Sequence, residues 1–166
     1  MNSEIRIPRS IYENTLEDLR RPHPYAFERV GFLVAKHSNA ARHTQIFLVA
    51  DYFPLADERY IEDDSVGARI DGEAIRSAMQ RILTDRVSLL HVHLHDHYGL
   101  PTMSSTDRRE TPPIIQSFCN VGNLAHGLLV FSRNAAIAQI KASKTDNLSA
   151  VARINVVGYP LRVLTQ

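Results

Sequence analysis

The sequence predicts a single domain of the α+β class, in which a mostly antiparallel β-sheet is flanked by helices. A chain of 166 residues that is 44% hydrophobic fits one compact core, and it is too short for two well-formed domains or for a (β/α)₈ barrel. Segments with apolar residues at helical spacing alternate with short apolar runs, and several such runs follow one another in the last third. We therefore expect one domain over residues 1–166.

The first half of the chain predicts a helix followed by a β-hairpin. A capping-box pattern at Ser10–Glu13 begins a set of apolar residues at helical spacing, and Pro22 ends it. Two runs rich in Phe, Val and Leu follow at residues 25–35 and 45–53. The small and polar residues 38–42 between these runs are typical of a hairpin turn.

The second half predicts two further helices on either side of a strand, and then several strands. A helix from Asp71 leads directly into a strand that carries histidines, and a short helix from Ser104 is expected to be interrupted at Pro112 and Pro113. Later apolar runs predict strands at residues 127–132, 135–141 and 151–157.

Charge, hydropathy and cysteine content exclude several kinds of partner and site. The formal net charge is +1 with histidine neutral, so nothing global favours nucleic acid or a membrane surface. No apolar signal core opens the chain and no stretch reaches the roughly 18 apolar residues of a membrane span, so we expect a cytoplasmic protein. The single cysteine, Cys119, excludes an internal disulfide and a multi-cysteine zinc site, and we expect it to be a small buried residue.

A cluster of histidines is the strongest chemical signal in the chain. His91, His93, His95 and His97 fall within seven residues and alternate with Val, Leu and Asp. Because side chains alternate faces along a strand, all four imidazoles should project to one side. Neutral imidazole is the commonest protein ligand for zinc, and two at positions i and i+2 can bind one ion. The cluster predicts a metal site; the alternative is an exposed polar edge that is rich in histidine.

A third ligand is expected downstream of the cluster. A catalytic zinc site has three protein ligands and leaves the fourth position open for water. His93 and His95 supply two, and Asp107 is the nearest downstream carboxylate outside the histidine run, behind a loop that contains Gly and Pro. Ser104 and Asp107 also match a capping-box pattern, and a capped helix start would hold a metal-binding aspartate firmly.

Hydrolysis also requires a general base within reach of the water on the metal. Glu28 is the candidate, since it interrupts an otherwise apolar run and precedes Gly31 by three residues. A carboxylate in such a run is costly unless it faces solvent or a charged partner. The alternative is an exposed strand residue without a catalytic role.

Together, these motifs resemble the signature of the JAMM metalloproteases of the MPN domain class. They are Glu-x-x-Gly from Glu28, His-x-His at His93 and His95, and Ser-x-x-Asp from Ser104 to Asp107, and the resemblance covers most of the chain. It implies an MPN-like domain with a curved sheet and one Zn²⁺ per chain. In that family the matching residues are three zinc ligands (His93, His95 and Asp107), a base (Glu28) and a donor to the oxyanion (Ser104).

The resemblance also implies a function. JAMM enzymes are zinc-dependent isopeptidases or peptidases that hydrolyse the bond after a ubiquitin-like modifier, in deconjugation or in precursor processing. This chain is similar to the stand-alone, deubiquitinase-like members of bacteria, so we expect a ubiquitin-like protein or its conjugates as substrate, and an activating enzyme as an associated protein. Recognition would fall on loops around the site, including the acidic residues 57–64, which are otherwise expected to form a solvated loop.

Two alternatives accompany that expectation. One is a metal-free MPN scaffold that binds protein partners without catalysis, although such proteins typically lose the ligands that are present here. The other is a zinc hydrolase of small peptide-like amides.

The spacing within the histidine cluster departs from the family pattern. Eleven residues separate His95 from Asp107, one more than is usual, and Asp96 stands where the family has proline. Pairing His95 with His97 would leave nine, so the count alone leaves both pairs open. The pair of His93 and His95 is preferred because a loop tolerates one extra residue and because His97 is expected past the end of the strand. His91 would then lie one step deeper, beside the ligands.

Overall fold

The computed structural model describes residues 2–41 and 44–165, and these form one sheet of nine strands with three helices. The helices are α1 (Arg9–Leu19), α2 (Gly72–Asp85) and α3 (Ser105–Val121). The strands are β1 (Asn2–Pro8), β2 (Val30–Ala41), β3 (Thr44–Pro54), β4 (Ser88–Leu94), β5 (His126–Phe131), β6 (Ala136–Lys141), β7 (Ser149–Ala150), β8 (Arg153–Val157) and β9 (Arg162–Val163). Their spatial order is β7-β6-β5-β4-β2-β3-β1-β8-β9.

The sheet is mixed, so the prediction of a mostly antiparallel sheet is wrong. Strand β1 runs parallel to both of its neighbours, β3 and β8, and β4 runs parallel to β5. The other described ladders are antiparallel. Strands β4 and β5 are parallel because α3 connects them. The helix carries the chain back to the end of the sheet at which β4 began, so β5 runs in the same direction.

Strand β1 has no counterpart in the sequence prediction. Only Ile5 and Ile7 alternate with polar residues in this segment, and both are fully buried in the core. The chain then passes directly from Pro8 into α1, whose N-cap makes no side-chain hydrogen bond. The capping box predicted at Ser10–Glu13 is therefore wrong, because Ser10 already lies in the first turn of the helix.

Helix α3 is continuous, so its predicted interruption at Pro112 and Pro113 is wrong. The carbonyl groups left without a helical partner belong to the residues four positions earlier, Arg108 and Arg109, which are exposed. Fully buried side chains further along the helix, Ile115 and Phe118, hold it against the sheet. Cys119 is buried as predicted.

The remaining elements agree with the sequence more closely. Helix α2 begins after Asp71, whose side chain accepts a hydrogen bond from the Ala74 N–H. The strand predicted at residues 25–35 begins later than expected, because β2 starts only at Val30. Strand β2 also continues through residues 38–41, where the sequence predicted a turn. The last residue of that turn, Arg42, lies outside the described residues. In the described part of the chain, no helix is long and apolar enough to cross a membrane.

Strand β4 positions the histidines because it lies between β2 and β5 with both faces covered. Leu90, Val92 and Leu94 face the core cluster that includes α1. His91 and His93 face the opposite side, where α2 and α3 pack. Since β4 ends at Leu94, the later histidines belong to the segment that follows the strand.

A buried histidine outside the cluster predicts how stability depends on pH. His126 at the start of β5 is fully buried, and its Nδ1 accepts a hydrogen bond from the Leu89 N–H at 3.0 Å. Burial lowers the pKa of His126 to about 4, from an ordinary value of 6.5. Between about pH 4 and pH 6.5, His126 therefore binds more protons in the unfolded chain than in the folded one. The contribution of neutral His126 to the free energy of unfolding is complete above about pH 6.5 and is lost as the pH falls toward 4.

We expect His126→Asn to reduce this pH dependence, because asparagine keeps an acceptor for the Leu89 N–H and does not titrate. Urea unfolding of both proteins at pH 7.5 and 4.5 measures the difference. Between pH 7.5 and pH 4.5, the free energy of unfolding of the wild type should fall by about 2 kcal/mol more than that of the variant. Equal losses would show that His126 does not titrate on unfolding in this range.

Candidate metal centre

Two histidines meet where β4 ends. The His93 side chain is almost fully buried, and His95 follows just beyond the strand. The His95 N–H donates to the carbonyl oxygen of Phe131 at 2.9 Å, which extends the pairing with β5 past the last strand residue. This brings the Nε2 atoms of the two imidazoles to 3.2 Å from each other.

A carboxylate from α3 faces both imidazoles. Asp107 Oδ1 lies 3.2 Å from His93 Nε2, and Oδ2 lies 3.5 Å from His95 Nε2. The predicted capping box is confirmed: the Asp107 N–H donates to Ser104 Oγ at 3.0 Å, and the Ser104 N–H donates to Asp107 Oδ2 at 2.7 Å. The start of the helix therefore fixes the carboxylate against the end of the strand.

Glu28 reaches the same point from a different segment. It lies before β2 in irregular backbone, so its predicted place within a strand is wrong. Its Oε1 lies 3.8 Å from His95 Nε2, and one third of the side chain is exposed. Ligand atoms of Glu28, His93 and His95 all lie within 4.8 Å of one another, so these three residues could hold a metal ion.

The charges at this point are strongly coupled. Burial alone would raise the pKa of Asp107, but hydrogen bonds from His93 and His95 outweigh it and hold the pKa well below its usual value. The Asp107 hydrogen bond in turn raises the pKa of His95, against a smaller opposing effect of burial. Asp107 is thus a carboxylate anion, which is the form that binds cations.

The other two histidines of the cluster lie apart from this convergence. His91 is buried one step deeper, against the Phe32 ring, and burial lowers its pKa to about 3, so it is neutral. Its Nδ1 has no hydrogen-bond partner among the described residues. His97 lies past the strand, as predicted, and its Nδ1 is 2.9 Å from the carbonyl oxygen of Tyr98. The structure thus brings His93 together with His95, and not His95 with His97.

Asp96, the residue after His95, forms an ion pair that the sequence did not predict. The Arg133 guanidinium donates to both of its carboxylate oxygens, at 2.7 and 2.9 Å. The Arg133 N–H also donates to the carbonyl oxygen of His97 at 2.9 Å. Since Arg133 lies 37 residues further along the chain, no local pattern signals this pair, which ties the loop after His95 to the β5–β6 connection.

The acidic stretch predicted as a solvated loop is an ordered excursion between β3 and α2. A bridge between Tyr60 and Ile70 closes it. Within the bridge, the Asp63 carboxylate accepts a hydrogen bond from the Ser65 N–H at 3.0 Å and pairs with Arg69 at 2.9 Å. We call residues 60–70 the closed loop; they lie beside Glu28 and form part of the wall of the site.

Two clefts meet at Phe27 and Glu28. The larger, of about 740 Å³, lies between the closed loop and the start of α3 and contains His93, Ser104 and Asp107. The smaller, of about 630 Å³, lies on the other side of Glu28 and is lined by the end of α1, the segment that follows it, and the ion pair described above. The candidate site therefore lies where two clefts join, and it is open on both sides.

No protein-family model matches the chain, and no curated protein matches it. Within the site, Glu28, His93 and His95 form a group that could hold a metal ion, and the Asp107 carboxylate from the capped helix faces both imidazoles.

Proposed function

We propose that this protein is a zinc-dependent peptidase of the JAMM type, which hydrolyses the peptide or isopeptide bond after a ubiquitin-like modifier. One observation carries the proposal: a carboxylate from a capped helix faces two strand-end imidazoles, and a second, more exposed carboxylate lies 3.8 Å from one of them. That set contains three ligands and a base, which is what zinc hydrolysis requires.

The distances between the ligand atoms suit zinc. A tetrahedral ion with bonds of about 2.0–2.1 Å separates its ligand atoms by about 3.3–3.4 Å. Here His93 Nε2 lies 3.2 Å from His95 Nε2 and 3.2 Å from Asp107 Oδ1, and the other carboxylate oxygen, Asp107 Oδ2, lies 3.5 Å from His95 Nε2. Two imidazoles and one carboxylate also match the ligand types of catalytic zinc sites, in which the fourth position stays open.

Asp107 fits the role of ligand better than Glu28 does. Its carboxylate is closer to both imidazoles, it is less exposed, and the Ser104 N–H holds it in place. Glu28 is further away, is one third exposed, and lines both clefts, where substrate and water can reach it. We therefore assign Asp107 as the third ligand and Glu28 as the general base.

When bound, zinc supplies an acidified water and polarises the scissile carbonyl. Glu28 would accept the proton of the attacking water as the new carbon–oxygen bond forms, and would return it to the leaving nitrogen as the carbon–nitrogen bond breaks. The Ser104 hydroxyl stabilises the developing negative charge on the carbonyl oxygen. Its oxygen already accepts the Asp107 N–H, which leaves its proton free to donate.

The shape of the site favours a chain-like substrate over a small amide. The clefts extend from Glu28 in two directions, so an extended peptide can pass through both with its scissile bond at the metal. Ser104, the proposed donor to the carbonyl oxygen, lines the larger cleft and not the smaller one. Because the two clefts are lined by different residues, each cleft can recognise the part of the substrate on its own side of the scissile bond.

We expect the purified protein to bind about one zinc ion per chain and to lose it on treatment with a chelator. His95→Ala should abolish binding, because it removes one of three ligands, whereas His97→Ala, the same change two residues further on, should leave it intact. Elemental analysis after equilibration with zinc measures both variants. A wild type that binds no zinc would favour the metal-free scaffold, and loss of zinc in His97→Ala alone would reverse the choice of ligand pair.

We expect Glu28→Gln to keep its zinc and to lose kcat by about 10³-fold, because only the base is removed. Release of a reporter from the C-terminus of a ubiquitin-like protein measures kcat, and elemental analysis measures the metal. Glu17→Gln, at an exposed position on α1 that lines neither cleft, is the control and should behave as the wild type. Loss of zinc in Glu28→Gln would make Glu28 a ligand and overturn its assignment as the base.

A further inference from the structure

Glu28 lies outside the regular elements, so its position depends on what packs against it. The Glu28 N–H donates to the carbonyl oxygen of Gly67 at 3.0 Å, which joins the backbone of this segment to the closed loop. The Glu28 side chain also packs against Gly67. A Cβ at position 67 would lie 2.7 Å from Glu28 Oε2, 2.9 Å from Cδ and 3.3 Å from Cγ.

The glycine is required for space and not for its backbone conformation. The positive-φ glycines of the described chain are Gly99 and Gly158, and Gly67 is not among them. Alanine can therefore adopt the backbone of residue 67 without strain. What alanine cannot do is leave the Glu28 carboxyl group where it is, because the separation would be shorter than real Cβ contacts allow.

The closed loop holds Gly67 firmly enough for this contact to matter. Besides the bridge between Tyr60 and Ile70, the Ile61 N–H donates to the Arg69 carbonyl oxygen at 2.8 Å. The Asp63 carboxylate spans the same turn through Ser65 and Arg69. A side chain at position 67 would thus displace the flexible end of Glu28 more readily than the loop.

We propose that Gly67 is a positioning residue for the general base: its bare Cα face leaves the room in which the Glu28 carboxylate lies beside His95. The proposal rests on the proposed function, in which Glu28 is the base. It gives the closed loop a role in turnover that is separate from any contact with substrate. A carboxylate displaced by about 1 Å can cost up to about 10²-fold in rate, although the metal ligands are untouched.

The test compares Gly67→Ala with Gly72→Ala. The control makes the same change five residues further on, where an added Cβ would meet no described atom within 4 Å. We expect Gly67→Ala to keep its melting temperature and its zinc, to lower kcat by about 10- to 100-fold, and to leave KM nearly unchanged. Gly72→Ala should match the wild type in all four quantities.

A double-mutant cycle separates positioning from a general effect on the loop. In the Glu28→Ala background, Gly67→Ala should lower residual turnover no further, because the group it displaces is gone. A further drop in that background would show that residue 67 acts independently of Glu28 and would overturn the proposal. Should Gly67→Ala fail to fold, the double variant should fold again, and a double variant that also fails would contradict the proposal.

A crystal structure of metal-free Gly67→Ala provides a readout that does not depend on activity. The Glu28 carboxylate should move away from His95 Nε2, from which Oε1 lies 3.8 Å in the native chain. An unmoved carboxylate, or turnover equal to that of Gly72→Ala while Glu28→Gln is inactive, would overturn the proposal and leave the proposed function standing. If Glu28→Gln is fully active, the proposed function fails instead, and Gly67 positions no base.

Discussion

The Asp107 carboxylate connects the local structure of the chain to its chemistry. Its Oδ2 accepts the hydrogen bond that closes the capping box of α3, and both of its oxygens face the imidazoles at the end of β4. The helix start is therefore aligned with the strand end by a single charged group. Because α3 then leads into β5, which pairs with β4, the ladder beside His93 and the carboxylate above it are parts of one continuous strand–helix–strand unit.

The proximity of His93, His95, Asp107 and Glu28 was easier to predict than the sheet that supports them. The candidate ligands are recognisable from residue type and close spacing, as in the alternation of His93 and His95 or the capping box from Ser104 to Asp107. The sheet depends on pairings between distant segments, and β1 shows the difficulty: two buried isoleucines in seven residues form a weak local pattern, yet this strand has neighbours on both sides. Its parallel pairings account for much of the error in the predicted sheet.

Contacts that are distant in sequence were also missed within the site. Nothing near Asp96 indicates Arg133, and nothing near Glu28 indicates Gly67, since each pair meets only after several elements have folded. The same reason explains why Glu28 was predicted in a strand: an apolar run indicates burial, but not where pairing with a neighbour begins. In α3, tertiary contacts outweigh a local signal: Pro112 and Pro113 disfavour a helix, but the buried side chains of Ile115 and Phe118 stabilise it.

The place of β1 in the sheet has a consequence for how the chain folds. Its ladder with β8 joins segments that lie about 150 residues apart, as in the hydrogen bond from the Asn155 amide to the Glu4 carboxylate. Pairings of such high contact order form slowly, because the entropy of closing the intervening chain is lost before the contacts are gained. During synthesis, one edge of β1 therefore stays unpaired until β8 has emerged, and its free N–H and C=O groups are open to other strands over this interval.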